Sequence, residues 1–525
     1  MFQNSLDFGY NSFEGNVPSQ LGNLSQLQEF YLGGDGIKID DGGQWLSNLI
    51  SLTHLSLYSL SSLNRSHSWL QAILNLPKLR ELDLNECSLS DHFIMSSKPS
   101  HFNSSTSLSV LHLSKNTFTS PMIFHWVSNF TSNLVELDLS RNLLEGSTSS
   151  DFGMVMNSLR QLDLSSNYFK ARDLKSFTNI CTLSSLYLYE NNLTEDLPSI
   201  LDHFSSGCIR HSLQELDLSF NNITGTLSKL SVFSSLKTLS LGENHLSGKI
   251  PQDIILPSQL ESLSIQMNSF EGGIPKSFGN ACALHLLDIS SNNLNEEFSP
   301  IIHHLSGCAK NSLQELSLSR NNINGTLPDL SVFLTLKYLD LTENQLSGKI
   351  SEDSKLSSSL EYLSISLNNF EGGIPKSFGN ACALRSLDMS ENSLSEEFPR
   401  IIHHLSGCAR HSLEELDLNM NKINGTLPPD FSTFTSLKGL YLSENKLNGE
   451  ILKDIQFPPQ LEELHMSSNS LKGVLTDYHF ANMSKLLELN LSDNSLALTF
   501  TQNWIPPFQL FSIELRSCKL GPTFP

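Results

Sequence analysis

Leucine residues recur along this chain at a regular spacing. The phrase L-x-x-L-x-L-x-x-N has one clear copy at residues 213–221, and successive copies lie 23 to 30 residues apart, most often 24. The alternation of apolar and polar positions in L-x-L predicts a strand with one buried face. The asparagine amide can bond to backbone groups at the turn that follows each strand. Further copies end at Asn116, Asn142, Asn167, Asn191, Asn244, Asn268, Asn292, Asn321, Asn344, Asn368, Asn392, Asn421, Asn445, Asn469 and Asn494.

This spacing predicts a repeat array rather than several independent domains. Degenerate copies at residues 6–11, 27–35, 52–60 and 79–87, and a last copy at 510–518, raise the total to about 21 units. A single unit cannot bury its own apolar face, so neighbouring units must stack. We therefore expect one array over residues 1–525. Residues 1–107 hold the degenerate repeats, with an exposed loop at 33–43, and residues 108–525 hold the regular ones.

A longer period of 100 residues is superimposed on the repeat. The sequence EGGIPKSFGNACAL occurs at residues 271–284 and again at 371–384, and IIHHLSGCA occurs at 301–309 and again at 401–409. Identity at this level indicates that a block of four repeats was duplicated, over about residues 213–412.

Several repeats add a G-x-I-P-like sequence after the asparagine, at residues 248–251, 273–275, 325–328, 373–375 and 425–428. With these motifs, nearly the whole chain resembles the leucine-rich-repeat ectodomains of plant extracellular receptors. The stretches at 44–49, 68–71, 305–308 and 503–510 are similar to plant receptor-like proteins of the group that includes fungal-xylanase receptors. The resemblance implies a leucine-rich-repeat solenoid of the α/β type. Its form would be a curved right-handed superhelix of about 21 plant-type 24-residue repeats with a concave parallel β-sheet.

The charge balance bears on the partners. The chain has 33 Lys and Arg against 54 Asp and Glu, a net charge of −21; it would repel phosphate backbones, so no nucleic-acid partner is expected. No apolar run reaches the roughly 18 residues that span a bilayer, and no signal-peptide pattern is visible. Receptors of the resembled family carry both segments and terminal caps. We therefore expect a fragment of a protein on the extracellular side of the plasma membrane, attached only through segments absent from this chain.

Six of the eight cysteines follow a repeated spacing. Stacked repeats would place them side by side on the outer face, within the distance that a disulfide bond can span. Such bonds imply an oxidising compartment. The alternative is that the six cysteines are separate buried thiols. The expected bonds join Cys181 to Cys208, Cys282 to Cys308, and Cys382 to Cys408.

Ten N-x-S/T sequences offer candidate glycosylation sites. About nine would arise by chance from this composition, so the number itself is no evidence of secretion; secretion, implied by the resemblance and the cysteines, would make the sites usable. The candidates are Asn23, Asn64, Asn103, Asn129, Asn192, Asn222, Asn324, Asn424, Asn482 and Asn490.

The solvent-facing positions of the predicted strands are mostly small or polar, which is typical of a solvated sheet face. Large side chains at such positions suggest a contact surface, because aromatic residues and methionine are favoured in interface cores. Glutamates at the neighbouring positions form an acidic row that favours a cationic partner. The ligand-contact candidates are Tyr187, Tyr189, Phe220, Met267, Leu367, Met420, Tyr441 and His465.

The resemblance implies the ligand-recognition part of a plant cell-surface receptor, acting in immunity or development. It would bind a secreted peptide or a microbial protein on its concave face and signal through a co-receptor kinase. A soluble apoplastic inhibitor of microbial cell-wall-degrading enzymes is the alternative, and a cytosolic scaffold would need the six cysteines to be reduced.

The tripeptide D-F-G occurs at 7–9 and 151–153 without the other kinase motifs. His303, His304 and Cys308 fall short of the four ligands of zinc. We therefore expect no enzymatic activity, no cofactor and no metal.

Overall fold

The computed structural model describes residues 4–9, 11, 13–65, 68–96, 107–130, 133–149, 151–228, 230–429 and 431–521. They form two compact units, one of Met1–Ser247 with Ile254–Leu260 and the other of Gly248–Asp253 with Glu261–Pro525. Both units are leucine-rich-repeat solenoids in which each repeat contributes one short strand to a parallel sheet, called here the main sheet of the unit.

The main sheet of the first unit has ten described strands, each paired in parallel with the next. The middle leucine of the three-residue strands is buried and the flanking residues are half-buried, because alternate side chains point to opposite faces. The strands are Ser5–Phe8, Glu29–Gly33, His54–Tyr58, Glu81–Asp83, Val110–His112, Glu136–Asp138, Gln161–Asp163, Ser185–Tyr187, Glu215–Asp217 and Thr238–Ser240.

The second unit repeats this arrangement with eleven described strands in its main sheet. In the first ten strands the register places leucine opposite leucine, as for Leu339 and Leu363, so the buried side chains form one continuous row, whereas Ile513 of the last strand is exposed. The strands are Ser262–Ser264, Leu286–Asp288, Glu315–Ser317, Tyr338–Asp340, Tyr362–Ser364, Ser386–Asp388, Glu415–Asp417, Gly439–Tyr441, Glu463–His465, Glu488–Asn490 and Ser512–Glu514.

The asparagine of each regular repeat links it to its predecessor. The buried Asn368 amide donates to Ile365 and Ser366 O of its own turn, at 3.2 and 2.9 Å, and to Leu341 O of the preceding repeat, at 2.9 Å. Its Oδ1 accepts from Leu346 N at 3.0 Å. The amide thereby satisfies buried backbone groups that would otherwise lack partners.

Shorter strands lie beside the main sheets. In the first unit Gly15–Asn16 pairs with Ile37–Lys38. In the second unit the short strands follow the asparagine turns and pair in parallel between neighbouring repeats. These strands are Ser269–Gly272, Asn293–Leu294, Asn324–Gly325, Gln345–Lys349, Asn369–Gly372, Ser393–Leu394, Asn424–Gly425, Lys446–Glu450, Ser470–Leu475, Ser495–Leu498 and Lys519–Leu520, and Ser247–Lys249 spans the boundary of the units.

Helical turns occupy the returning part of many repeats. The α-helices of the first unit are Ser68–Leu74, Asp91–Ser96, Met122–Phe130, Phe152–Val155 and Leu197–Ser205, and those of the second are Phe298–Leu305, Phe398–Leu405, Ala409–Ser412 and Asp477–Phe480. The 3-10 helices are Ser19–Asn23, Asp40–Asn48, Ser61–Arg65, Ala171–Asn179, Cys208–His211, Leu230–Val232, Lys276–Asn280, Ala309–Asn311, Lys376–Asn380 and Phe431–Thr433. No described helix has both the length and the hydropathy of a membrane span.

The segment 33–43, which the sequence analysis predicts to be an exposed loop, contains short regular elements. Residue Gly33 ends a main-sheet strand, Ile37–Lys38 is a side strand, and the 3-10 helix Asp40–Asn48 begins within the segment. Ile37 is buried and supplies the apolar anchor that the glycine-rich composition concealed. The segment therefore continues the repeat array through its own short strand.

The three predicted cysteine pairs are joined by disulfide bonds, with Cα atoms 4.9 to 5.1 Å apart. Each bond joins a long repeat, of 29 or 30 residues, to the repeat before it. Glycine allows the close approach: a Cβ atom on Gly307 would lie 2.5 Å from the carbonyl oxygen of Gly279, too near for any other residue. Because Cys308 is bonded to Cys282, it offers no thiolate to a metal.

Replacing Asn368 by alanine is expected to destabilise the second unit. The change leaves three carbonyl groups and one N–H group without their amide partner, which should cost about 2 kcal/mol or more. The urea midpoint of the purified chain measures the loss. The matched control is Asn369→Ala, because the adjacent Asn369 side chain is exposed. Equal midpoints for the two variants would contradict a structural role for the Asn368 amide.

A thiol count distinguishes the disulfide-bonded chain from a reduced one. We expect two thiols in the denatured chain without reductant, Cys87 and Cys518, and eight after reduction. In the folded chain the Cys87 thiol should react slowly, because burial raises its pKa to about 12. Eight thiols in freshly isolated, unreduced protein would contradict the disulfide bonds.

Candidate binding face of the main sheet

The exposed face of each main sheet carries side chains in straight rows. The first and third residues of every three-residue strand lie on this face, and the parallel register aligns them from strand to strand. In the second unit the first positions include two tyrosines and several glutamates. The third positions hold mainly aspartate and serine, followed by Tyr441 and His465. The exposed face is therefore acidic with aromatic interruptions.

Three of the predicted contact residues lie on this face. Tyr187, Tyr441 and His465 are third-position residues of their strands and are half-buried. The Tyr187 hydroxyl donates to Glu215 Oε2 and that of Tyr441 to Glu463 Oε2, both at 2.5 Å. Burial and the bond to Glu215 raise the pKa of Tyr187 to about 12, so its hydroxyl stays protonated at physiological pH.

The other five predicted contact residues were assigned to the wrong position. Phe220, Met267, Leu367 and Met420 lie in the turn before the asparagine, with φ of 51° to 53°, and not on a strand. Tyr189 lies two residues beyond its strand, and its ring centroid is 4.8 Å from that of Phe220. The side chains of Phe220, Met267, Leu367 and Met420 are exposed, but they follow the strands in left-handed turns, whereas the sequence phrase suggested positions on the main-sheet face.

Two stacked tyrosines lie on this face and are absent from the predicted contact residues. Tyr338 and Tyr362 occupy first positions on paired strands, and their rings lie 4.4 Å apart with an interplanar angle of 6°. The signal in the sequence was a tyrosine directly before the first leucine of L-x-L in two successive repeats. Many other repeats have glutamate at this position. Burial and the carboxylate of Asp340 raise the pKa of both hydroxyls, so both tyrosines are neutral.

The carboxylates of the face perturb one another. Burial, together with the nearby Asp388, Glu415 and Glu391, raises the pKa of Asp417 to about 7. Backbone N–H of Asn419 donates to Asp417 Oδ1 at 2.9 Å and partly offsets this effect. The carboxylates of the face therefore repel one another, and a cationic ligand would reduce this repulsion.

One group on the face has the residues of a metal site. The ligand atoms of Glu463, His465 and Glu488 lie within 4.8 Å of one another, and His465 Nε2 is 3.5 Å from Glu488 Oε2. Carboxylate oxygens and an imidazole nitrogen could hold a divalent cation here. The spacing along the chain gives no metal motif, because strand pairing alone brings Glu488 beside Glu463.

The glycosylation candidates differ in exposure. Asn103 and the side chain of Asn129 lie outside the described residues. Asn64 Oδ1 is buried without a hydrogen bond, and Asn490 lies on the main-sheet face, where its amide donates to Glu514 Oε2 at 3.0 Å. The exposed candidates are Asn23, Asn222 and Asn482, and the partly exposed ones are Asn64, Asn192, Asn324, Asn424 and Asn490. Glycosylation itself stays a prediction.

Comparison with known proteins agrees with the repeat architecture. The Leucine Rich Repeat family model matches residues 133–154, 235–255, 259–281, 312–332, 335–355, 359–381, 383–405 and 412–434. In solved structures, the ectodomain of the Arabidopsis receptor kinase HAESA, bound to an extended IDA peptide hormone, is similar at 25% identity and a TM-score of 0.62, over 99% of this chain and 87% of that one. The Arabidopsis GASSHO1/SCHENGEN3 ectodomain is similar at 27% identity and a TM-score of 0.56, over 98% of this chain and 62% of that one.

The chain has the leucine-rich-repeat fold. Parts of it are similar in sequence to plant receptor-like proteins. Receptor-like protein EIX1 of Solanum lycopersicum is 35% identical over 245 residues, which is 46% of this chain and 23% of that protein. Receptor-like protein 39 of Arabidopsis thaliana is 29% identical over 369 residues, 66% of this chain and 37% of that protein. The alignments thus span less than two fifths of either relative.

Replacing Asp417 by asparagine is expected to stabilise the chain more at pH 8 than at pH 4.5. The raised pKa means that the folded chain holds a proton which the unfolded chain releases near pH 4, so stability falls as pH rises from about 4 through 7. Asparagine removes that loss and keeps the bond from Asn419 N. Melting temperatures at the two pH values test this, with Asp454→Asn, an exposed position, as control. A gain that does not grow with pH would contradict the assignment.

Proposed function

We propose that this chain is the ligand-recognition part of a plant cell-surface receptor and that it binds a peptide or protein segment along the exposed face of the main sheet. The observation that carries the proposal is the composition of that face in the second unit, where tyrosines interrupt rows of carboxylates. Aromatic side chains provide contact area for a ligand. Unneutralised charge orients an oppositely charged ligand and increases its rate of association.

The relatives support this use of the repeat. The similar HAESA ectodomain was solved with a peptide hormone, and in a further structure with the hormone IDA and the co-receptor SERK1, at 25% identity and a TM-score of 0.59. By analogy, the full-length protein would lie at the plasma membrane and pass the signal to a partner receptor kinase. The choice between immunity and development depends on the ligand.

Selection of peptides from a displayed random library on the immobilised chain tests the proposal. Bound peptides should carry net positive charge and should lose at least fivefold in affinity for the variant Tyr441→Ala, which removes a side chain of the face. The matched control is Tyr478→Ala, because Tyr478 is exposed but lies in the helix Asp477–Phe480, away from the main sheet. Peptides that bind both variants as well as the parent chain would contradict recognition at this face.

The alternative of an enzyme inhibitor predicts a different outcome. The chain would then reduce the activity of a microbial cell-wall-degrading hydrolase in a reducing-sugar assay. The receptor proposal predicts no such inhibition by the chain alone. Co-precipitation of the full-length protein with receptor kinases, increased by a selected peptide, tests the signalling step.

A further inference from the structure

The stacked tyrosines form a ladder that follows the strand spacing. Neighbouring strands lie about 4.8 Å apart, close to the 4.4 Å between the ring centroids of Tyr338 and Tyr362. One face of the Tyr362 ring is covered by Tyr338. Its other face is directed along the row toward the next strand, Ser386–Asp388, which pairs with the strand of Tyr362. A third planar group at that position would continue the stack.

The position in the row where a third stacked ring would lie is occupied by a small side chain. Ser386 stands in register between Tyr362 on one side and Glu415 on the other. Two strand spacings, about 10 Å, therefore separate the backbones of Tyr362 and Glu415. Ser386 Oγ donates to Glu415 Oε2 at 3.0 Å, so the Glu415 carboxylate leans toward Ser386 and lies opposite the free face of the Tyr362 ring. We call the space above Ser386, between Tyr362 and Glu415, the Ser386 slot.

Negative charge surrounds the Ser386 slot. Asp388 lies on the same face two residues along the strand, and Asp417 is its register partner. Among the described residues, no ion pair involves Asp388, Glu415 or Asp417. The adjacent cation, Arg385, is held by Glu361 and Glu414, at 3.8 and 2.9 Å. The slot thus combines an aromatic wall, a carboxylate wall and uncompensated charge.

The duplicated block supplies an internal comparison. At an offset of 100 residues, the positions of Tyr362 and Ser386 are held by Ser262 and Leu286, while Glu415 corresponds to Glu315. Those three earlier residues also lie in register on the main sheet of the second unit. In the first copy the tyrosine is missing and leucine fills the rung. The slot is therefore particular to the second copy, although most buried residues of the repeat framework are the same in the two copies.

The shape and charge of the slot fit one kind of side chain. A guanidinium group is planar, stacks on aromatic faces and donates in its plane to carboxylates, whereas an ammonium group is a compact point charge. We propose that the Ser386 slot binds an arginine side chain of the ligand, with its guanidinium stacked on Tyr362, its in-plane N–H groups directed to Asp388, and its charge attracted by Glu415 on the opposite side. This rests on the proposed role of the main sheet in peptide or protein recognition, and it specifies an arginine within that ligand.

The test uses three short probes with the whole chain: acetyl-glycyl-arginyl-glycine amide and the same peptide with citrulline or lysine in place of arginine. Saturation-transfer NMR measures the dissociation constant of each. The arginine probe should bind with millimolar affinity, the lysine probe at least threefold more weakly, and the uncharged citrulline probe not measurably. Ser386→Leu fills the rung with the residue that the first copy tolerates, so the fold is retained, and affinity for the arginine probe should fall at least tenfold.

The controls separate the slot from general attraction to an acidic surface. Ser512→Leu makes the same change at a first-position serine without a tyrosine on the described neighbouring strand, and should leave the arginine probe unaffected. Tyr362→Leu should weaken the arginine probe about fivefold and the lysine probe less. Equal binding of arginine and lysine probes, or no effect of Ser386→Leu, would overturn the proposal.

The outcomes also separate this proposal from the proposed function. Peptides selected from the library that bind the main-sheet face without arginine, and that ignore Ser386→Leu, would overturn the slot and leave the function standing. An arginine probe that binds in the slot, with library peptides that bind elsewhere, would support the slot and count against the main sheet as the ligand-binding face.

Discussion

The buried amide of the repeated asparagine sets the geometry on which both units depend. The Asn392 side chain, for example, donates hydrogen bonds to carbonyl groups of its own turn and of the preceding repeat. Its oxygen accepts a hydrogen bond from a backbone N–H of that preceding repeat. Because these backbone groups are buried, an alternative partner would have to be found for each. The chain must reverse direction immediately before the asparagine, and the preceding residue takes φ between 50° and 56° in the regular repeats. The amide thus fixes the end of each strand.

Fixing the strand ends aligns the exposed side chains into rows. The buried leucines are interchangeable from repeat to repeat, whereas the first and third strand positions have no packing partner in the core. Substitution there changes the chemistry of the exposed face and leaves the framework unaltered. The duplicated block illustrates this: its buried sequence is nearly the same in both copies, yet leucine at 286 corresponds to serine at 386. Recognition can therefore change without refolding the solenoid.

The sequence was sufficient for the properties that recur and insufficient for those that depend on neighbours in space. Leucine and asparagine spacing predicted the strands, and cysteine spacing predicted which repeats are bonded. Phe220 and Met267 were misplaced because the phrase does not reveal that the residue before asparagine adopts a left-handed turn. The Tyr338–Tyr362 stack and the Glu463–His465–Glu488 group were missed because their members meet only across paired strands. The side strand Ile37–Lys38 was hidden by its flanking glycines.

The covalent links give the array a defined mechanical behaviour. Each disulfide bond closes a loop of 26 or 27 residues between adjacent repeats. When the chain is pulled from its ends, such a loop cannot extend, so about 90 Å of contour length is withheld at each bond. Tension instead passes through the sulfur bridge and bypasses the helix of the bonded repeat. The chain segments between bonded cysteines therefore cannot be extended by tension, whereas the other repeats can be.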